Sequence, residues 1–182
     1  MGEFSTEEKE AMKAEAGIAA CTFVKDGMTI GIGTGSTVKY TILELGRRIR
    51  EDGLNVSGIP TSEATEKLSI EQGIPLVNWT ECSSLDLVID GADEFDSDLH
   101  LIKGGGGALL REKIVAESSA AMVVVADASK QVDVLGQFPL PIEVNPYGWE
   151  QTQRRIQAIC NGPVVRRGPD YVTDNGNPIL DA

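Results

Sequence analysis

The alternation of short apolar strands with amphipathic helices constrains the fold of this chain more than any other feature of its sequence. Helical periodicity indicates helices at residues 5–24, 38–50 and 108–118, and a further helix that starts at Thr61 or Ser62. Apolar runs predict strands at residues 28–32, 56–59, 76–77, 85–90 and 122–126. Strands separated by helices pair in parallel through crossover connections. We therefore expect an α/β fold with a Rossmann-like, open and mostly parallel sheet.

The composition changes after Gln137. Three prolines follow between residues 139 and 146, then a helical pattern at 149–159. Strand patterns follow at 164–165 and at 171–180, around the turn 174–177. Because clustered prolines and a shift of pattern mark boundaries, we predict a Rossmann-like catalytic domain at residues 1–137 and a small α+β domain at residues 138–182.

The charge balance limits the partners of this chain. Its formal net charge of -12 at pH 7 argues against a broad surface for nucleic acid or an anionic membrane, since either needs lysine and arginine in excess. The three cysteines are widely spaced and His100 is the one histidine of the sequence, so we expect no metal site. No apolar run is long enough to cross a bilayer, and the acidic N-terminus is unlike a secretory signal.

A glycine-rich turn at residues 31–37, here called the first glycine loop, joins a predicted strand to a predicted helix. It departs from the dinucleotide-binding fingerprint because Ser36 stands where the third glycine is needed, and it lacks the Gly-Lys-Ser/Thr of a nucleoside triphosphate loop. Free N–H groups at the helix start, with the hydroxyls of Thr34, Ser36 and Thr37, favour binding of one phosphate group. The structural alternative is a tight turn capped by serine or threonine.

Three carboxylates lie at or just after the end of the predicted strand at residues 85–90: Asp90, Asp93 and Glu94. Asp90 continues the apolar run, so we expect it to be partly desolvated. Gly91 would permit close approach of a ligand. Hydrogen bonding to sugar hydroxyls fits this motif better than metal coordination, because the motif contains no histidine. The alternative is a solvated acidic turn in which Asp93 caps a helix.

The second glycine loop, residues 103–107, places four glycines in succession after Lys103. Next to a helix, each glycine costs about 1 kcal/mol relative to alanine, so the run needs a purpose such as left-handed backbone angles or contact with a ligand. The loop offers N–H donors, Lys103 offers a mobile cation, and Glu112 offers a carboxylate early in the next helix. The alternative for Glu112 is an exposed charge run with Arg111 and Lys113.

Lys130 follows the predicted strand at residues 122–126. It could supply a positive charge to a bound phosphate, or it could be an exposed loop lysine. The carboxyl ends of parallel strands share one edge of a sheet, so we expect the loops near residues 34–37, 90–93 and 130 to meet in a pocket there.

Taken together, the order and spacing of these motifs resemble the ribose-5-phosphate isomerase A family. The resemblance extends from the first helix to Asn177, nearly the whole chain. Each motif alone is a weak signal, and five in register are specific. They are Gly33-Thr-Gly-Ser-Thr37, Asp90-Gly-Ala-Asp-Glu94, Lys103-Gly-Gly-Gly, Leu110-Arg-Glu-Lys113 and Ala126-Asp-Ala-Ser-Lys130.

The resemblance implies a cytoplasmic aldose-ketose isomerase that interconverts D-ribose 5-phosphate and D-ribulose 5-phosphate through a cis-enediolate. This reaction belongs to the non-oxidative pentose phosphate pathway. The resemblance also implies no metal or organic cofactor, a small-molecule sugar phosphate as the partner, and a homodimer or homotetramer.

Carried over to this sequence, the resemblance makes Glu112 the base, and makes Lys103 and the glycine amides stabilisers of the enediolate. Asp90 and Asp93 would hold sugar hydroxyls, with Asp90 assisting ring opening. Lys13 is a looser candidate for a phosphate contact. The expected substrate-binding residues are Thr34, Gly35, Ser36, Thr37, Asp90, Gly91, Ala92, Asp93, Lys103, Gly104, Gly105, Gly106 and Lys130.

One departure and two other functions accompany this interpretation. Family members continue through another helix and a last strand, so we expect the small domain to be incomplete at Ala182. A non-catalytic sugar-phosphate sensor would share the phosphate loop, but it does not require Lys103 together with Glu112. A nicotinamide-dependent dehydrogenase is disfavoured by Ser36.

Overall fold

Strands and helices alternate through the computed structural model, which describes residues 4–182. The first helix is followed by a 3₁₀ turn at Cys21–Phe23, and β6 by another at Ala128–Lys130. In chain order the elements are α1 (Thr6–Ala20), β1 (Thr29–Ile32), α2 (Val38–Asp52), β2 (Ser57–Pro60), α3 (Glu63–Glu71), β3 (Leu87–Gly91), β4 (Glu94–Phe95), β5 (Leu101–Ile102), α4 (Leu109–Glu117), β6 (Met122–Val125), β7 (Pro141–Glu143), α5 (Trp149–Gln157), β8 (Val165–Arg166) and β9 (Ile179–Asp181).

The main sheet has four parallel strands in the order β2-β1-β3-β6. In its centre, Ile30 of β1 pairs with Leu87 of β3, and Val88 of β3 pairs with Met122 of β6. The predicted α/β fold with an open parallel sheet is confirmed. Since the strands are parallel, the loops that follow β1, β3 and β6 all leave from the same edge.

Local sequence signals define where the helices begin and end. Ser5 caps α1 in a capping box: its hydroxyl accepts from Glu8 N–H at 3.2 Å, and Glu8 Oε2 accepts from Ser5 N–H at 2.7 Å. The Ser62 hydroxyl accepts from Thr65 N–H at 3.1 Å and caps α3. Helix α2 ends at Asp52 and is followed by Gly53, whose φ of 71° is costly for other residues.

The core lies on both faces of the main sheet. On one face, α1 and α2 pack their apolar side chains against strand residues such as Ile30 and Ile89, which are almost fully buried. On the other face, Val115 of α4 packs with Val88. A Cβ on Gly31 would lie 2.3 Å from Val115 Cγ1, so glycine at this position lets α4 approach β1 closely.

A second sheet is formed near the C-terminal end of the sequence, with three antiparallel strands in the order β7-β9-β8. Val144, Val164 and Leu180 form its buried cluster, and Trp149 and Ile156 of α5 pack against them. The strands and helix fit the expected α+β character of residues 138–182. The division between residues 137 and 138 stays a prediction.

Several short elements differ from the sequence predictions. Residues 76–77 form a single bridge between Leu76 and Gly58, because Pro75 has no N–H to extend a ladder. The predicted strand at 171–180 is reduced to β9: Thr173 N–H donates to Asn177 O at 2.9 Å, which closes a turn. The helix predicted to residue 24 ends at Ala20.

The pairs β4–β5 and β7–β9 were not predicted. Strands β4 and β5 have only two residues each, too few for a period-two pattern. Pro141 belongs to the proline cluster taken as a boundary signal, and it is the first residue of β7, an edge strand. Proline is tolerated at that position.

Candidate functional site

A cavity of about 200 Å³ lies at the carboxyl edge of the main sheet, where the loops after β1, β3 and β6 meet the second glycine loop. It brings together all the expected catalytic and substrate-binding residues except Asp90 and Gly105, which lie beside it and contact residues that line it. The looser candidate Lys13 is also outside the lining. The lining residues are Thr34, Gly35, Ser36, Thr37, Val38, Gly91, Ala92, Asp93, Lys103, Gly104, Gly106, Glu112, Val125 and Lys130.

The first glycine loop presents the start of α2 to the cavity. Gly35 has a φ of 131°, which favours glycine. The Thr37 side chain makes no capping hydrogen bond, unlike the structural alternative considered for this turn. Within residues 4–182, the N–H groups of Ser36, Thr37 and Val38 donate to no protein acceptor. This arrangement can bind an anion at the positive end of the helix dipole.

Thr34 connects this loop to the start of α3. Its hydroxyl lies 2.7 Å from Thr61 Oγ1 and 2.8 Å from Ser62 Oγ, in a cluster that also contains Thr65. Thr61, Ser62 and Thr65 are buried. Sequence analysis missed this cluster because the hydroxyls just before and within the first turn of α3 reach Thr34 only after β1 and β2 pair. Its effect is to fix the Thr34 side chain at the cavity wall.

Asp90 lies at the end of β3 and is 1% exposed. Its Oδ1 accepts from Thr34 N–H at 3.1 Å and from Gly91 N–H at 2.8 Å, and its Oδ2 accepts from Lys103 Nζ at 2.9 Å. A Cβ on Gly33 would lie 2.1 Å from Asp90 Oδ1, so glycine is required where the two loops meet. The burial of Asp90 confirms its predicted desolvation, and its hydrogen bonds join the two glycine loops.

Asp93 lines the cavity and holds the second glycine loop. Its Oδ2 accepts from Gly105 N–H at 2.7 Å, and a Cβ on Gly105 would lie 2.4 Å from its Oδ1. Gly104 and Gly107 have φ angles of 99° and 86°. Both reasons expected for the glycine run, positive φ and close approach, are therefore found in the loop. Asp93 therefore accepts from a loop amide and is not a helix cap, the alternative considered for it.

Glu112 lies in the first turn of α4 and is 6% exposed, so the alternative of an exposed charge run is wrong for this residue. Its Oε2 lies 3.3 Å from Lys103 Nζ, but among residues 4–182 no donor is aligned for a hydrogen bond to that buried oxygen. Burial raises the pKa of Glu112 to about 7, and Asp90 adds to the shift while Lys103 opposes it.

Lys103 lies between the two buried carboxylates, Asp90 and Glu112, and also donates to the Gly91 carbonyl. Desolvation disfavours its ammonium form, but the attraction of Asp90 and Glu112 is stronger and the pKa of Lys103 is raised. Lys103 is therefore a cation at neutral pH. A protonated lysine next to a carboxyl group that titrates near neutrality can perform acid–base chemistry.

The other charged candidates take different positions. Lys130 ends the 3₁₀ turn after β6 and lines the cavity. Glu94 does not: it accepts from Gly136 N–H at 2.7 Å and from Phe138 N–H, so it anchors the chain that leads to the second sheet. Lys13 is outside the lining and pairs with Glu10 at 2.7 Å, and its predicted phosphate contact stays a prediction.

Residues 4–182 contain no group of three or more histidine, cysteine, aspartate or glutamate side chains arranged to hold a metal ion. Within the same residues no helix has the length and apolar character needed to span a membrane.

The geometry of the site defines a class of protein. An anion-binding helix start lies across a cavity from a buried carboxyl group and a lysine. An α/β protein with this arrangement is suited to acid–base chemistry on a small phosphorylated molecule.

Comparison with known proteins gives the family. The family model described as ribose 5-phosphate isomerase A (phosphoriboisomerase A) matches residues 57–182. The ribose-5-phosphate isomerase A of Bacillus mycoides (strain KBAB4) is 54% identical over 172 residues, which cover 93% of this chain and 77% of that protein. This chain belongs to the ribose-5-phosphate isomerase A family, as the motifs predicted.

Solved structures agree with this assignment. The ribose 5-phosphate isomerase A of Methanocaldococcus jannaschii has a TM-score of 0.90 and 44% identity, over 95% of this chain and 79% of that one. A D-ribose-5-phosphate isomerase in complex with phospho-erythronic acid has a TM-score of 0.89 and 39% identity, over 94% of this chain and 78% of that one.

Proposed function

We propose that this chain interconverts D-ribose 5-phosphate and D-ribulose 5-phosphate through a cis-enediolate, as a cofactor-independent aldose-ketose isomerase. The observation that carries the proposal is Glu112: a buried carboxyl group with a pKa of about 7, 3.3 Å from a lysine and across a cavity from an anion-binding loop. Family membership supports the same reaction.

In this mechanism Glu112 moves one proton between neighbouring carbons. As a carboxylate it takes the proton from C2 of the open-chain aldose, and the C–H electron pair forms the enediolate double bond. The carbonyl π electrons move onto the C1 oxygen, and the proton of the C2 hydroxyl transfers to that oxygen. The protonated Glu112 then returns its proton to C1 as the C2 carbonyl forms, which gives the ketose. A carboxyl group with a pKa of about 7 is close to balanced between its two forms at neutral pH, as a group that both takes and returns a proton requires.

Negative charge that develops on the substrate oxygens needs donors placed in advance. Lys103 is held by Asp90 at 2.9 Å and lines the cavity, and the second glycine loop adds N–H groups. We assign stabilisation of the enediolate to Lys103 and to these amides.

The two aspartates are assigned different tasks. Asp93 lines the cavity and is placed to contact sugar hydroxyls. The oxygens of Asp90 already accept from Thr34, Gly91 and Lys103. Asp90 therefore acts mainly as a positioning residue. Ring opening, which the sequence assigned to Asp90, is assigned to Asp93 instead.

The phosphate is assigned to the opposite end of the cavity. Ser36, Thr37 and the first N–H groups of α2 form the cradle, and Lys130 contributes a positive charge. With a net charge of -12 on the whole chain, this local set must attract the anion against the overall field.

The test is an assay of the purified chain with ribose 5-phosphate in buffer that contains a chelator, with ribulose 5-phosphate measured over time. We expect turnover, unchanged by the chelator. The second candidate function is a sugar-phosphate sensor. Binding of ribose 5-phosphate in a calorimeter without any turnover by the folded chain would support the sensor and contradict the isomerase.

Family resemblance also supports a cytoplasmic location and a homodimer or homotetramer. Exposed apolar side chains on β6, Met122 and Val124 at 37% and 38% exposure, offer a surface that association could cover. Light scattering coupled to gel filtration should give a mass of two or four chains, and a monomer at micromolar concentration would contradict this.

A further inference from the structure

Arg167 connects the second sheet to the second glycine loop. It follows β8, and its Nη1 donates to Gly105 O at 2.8 Å. Asp181 of β9 holds the same guanidinium, with Nε donating to Oδ2 at 2.9 Å and Nη2 donating to Oδ1. The two side chains are 19% and 21% exposed, so the pair is shielded from much of the solvent and its geometry is bidentate.

This contact holds the carbonyl of the peptide between Gly105 and Gly106. The peptide is trans, so the Gly105 carbonyl and the Gly106 N–H lie in one plane and point in opposite directions. Arg167, which is not a lining residue, holds the carbonyl, whereas Gly106 lines the cavity. The N–H of Gly106 has no protein acceptor within residues 4–182. This N–H lies on the side of the peptide opposite the carbonyl that Arg167 holds, and it is available to donate to a ligand in the cavity.

Resting on the proposed function, we infer that Arg167 is a positioning residue that orients the Gly105–Gly106 peptide, so that the Gly106 N–H donates to the enediolate oxygen. Asp181 supports Arg167 in this task. The contribution appears in the transition state, because the charge on that oxygen develops only during proton transfer.

The N–H of Gly105 is fixed as well as its carbonyl. Gly105 N–H donates to Asp93 at 2.7 Å, so Gly105 is held through both its N–H and its carbonyl. A glycine peptide without such restraints can rotate easily, since glycine reaches both signs of φ. Rotation would remove the Gly106 donor from the cavity without moving Lys103 or Glu112.

The test compares Arg167→Met with Arg166→Met. Arg166 is the neighbouring residue on β8, and its guanidinium lies 4.8 Å from the Trp149 ring centroid, away from the glycine loop. We expect Arg167→Met to lower kcat by about 10- to 100-fold, the usual range for a residue that orients a directly acting group. KM should stay within about threefold, and Arg166→Met should retain the parent kcat.

Two binding measurements separate positioning from folding. Phospho-erythronic acid carries a carboxylate that resembles the enediolate, so its affinity should fall in Arg167→Met, whereas the affinity for inorganic phosphate should stay at the parent value. Addition of guanidinium to Arg167→Ala should restore part of kcat. These results would support the assignment.

Other results would overturn it. An unchanged kcat in Arg167→Met would show that the peptide needs no guanidinium. Loss of phosphate affinity together with turnover would show that Arg167 maintains the fold instead of orienting the peptide. If the parent chain itself has no turnover, the proposed function fails, and the affinities for phospho-erythronic acid and phosphate still decide whether Arg167 orients the loop.

Discussion

The two halves of the cavity hold their polar groups in different ways. The first glycine loop uses backbone N–H groups and hydroxyls at the start of α2, which local backbone geometry provides. The opposite half, made by β3, the second glycine loop and α4, uses buried charges. There Lys103 bonds to Asp90, which lies 13 positions away, and also pairs with Glu112.

This difference suggests a division of labour between binding and chemistry. An anion at a helix start interacts with fixed dipoles that do not titrate. A buried carboxyl group near one lysine and two aspartates has a pKa that depends on all of them. Changes in the first half should therefore act on KM, and changes in the second half should act on kcat.

The largest effect is expected from Glu112→Gln. Removal of a base lowers the rate by about 10²- to 10⁴-fold, so kcat should fall by this amount while phosphate affinity remains. Steady-state kinetics and calorimetry measure the two quantities. Glu117→Gln is the matched control, because Glu117 is on the same helix but 69% exposed and paired with Lys113. A Glu112→Gln variant with the parent kcat would refute the assigned base.

Lys103→Met should have the next largest effect. Loss of one donor to a developing oxyanion lowers kcat by about 10²- to 10³-fold. Kinetics of Lys113→Met, which removes an exposed lysine of α4, supply the comparison. A rise in KM without a fall in kcat would show that Lys103 binds substrate and does not stabilise the enediolate.

Ser36→Ala tests the binding half. Loss of a hydrogen bond to a charged group costs about 1.5–3 kcal/mol, so KM should rise by about tenfold or more, with little change in kcat. Ser118→Ala at the end of α4 serves as the control, since its hydroxyl bonds only within the helix. A selective fall in kcat would contradict the division of the site.

The smallest effect concerns stability. The pKa of Glu112 rises from 4.5 to about 7 on folding, so the folded state binds more protons than the unfolded state between these values. Its contribution to stability therefore falls as pH rises through this window. Glu112→Gln removes this penalty. The difference in Tm between Glu112→Gln and the parent should therefore grow by about 2–4 °C or more from pH 5 to pH 8. If calorimetry gave the same Tm difference at both pH values, the raised pKa of Glu112 would be contradicted.

Much of this molecule could be predicted from sequence because its signals are local. The capping box at Ser5, the apolar runs of β1 and β3 and the glycine loops each depend on neighbouring residues. The family resemblance then joined the motifs into one site. The short pairs β4–β5 and β7–β9 carry too few residues for a periodic pattern, and their pairing depends on tertiary structure.

The charge pairings were less accessible to sequence reasoning. The burial of Glu112 depends on how α4 packs on β3, and the triple engagement of Asp90 depends on three separate segments. The contact of Arg167 with Gly105 spans 62 positions. None of these contacts follows a fixed spacing along the sequence, so they become visible only in the folded structure.

The central claim is that Glu112 transfers the proton, and isotope exchange in D₂O tests it most directly. The parent chain should introduce deuterium from solvent at C2 of ribose 5-phosphate and at C1 of ribulose 5-phosphate. Proton NMR measures this exchange as the loss of the signals from those positions. Glu112→Gln should bind phospho-erythronic acid and show almost no exchange. Exchange at the parent rate in that variant would contradict the account.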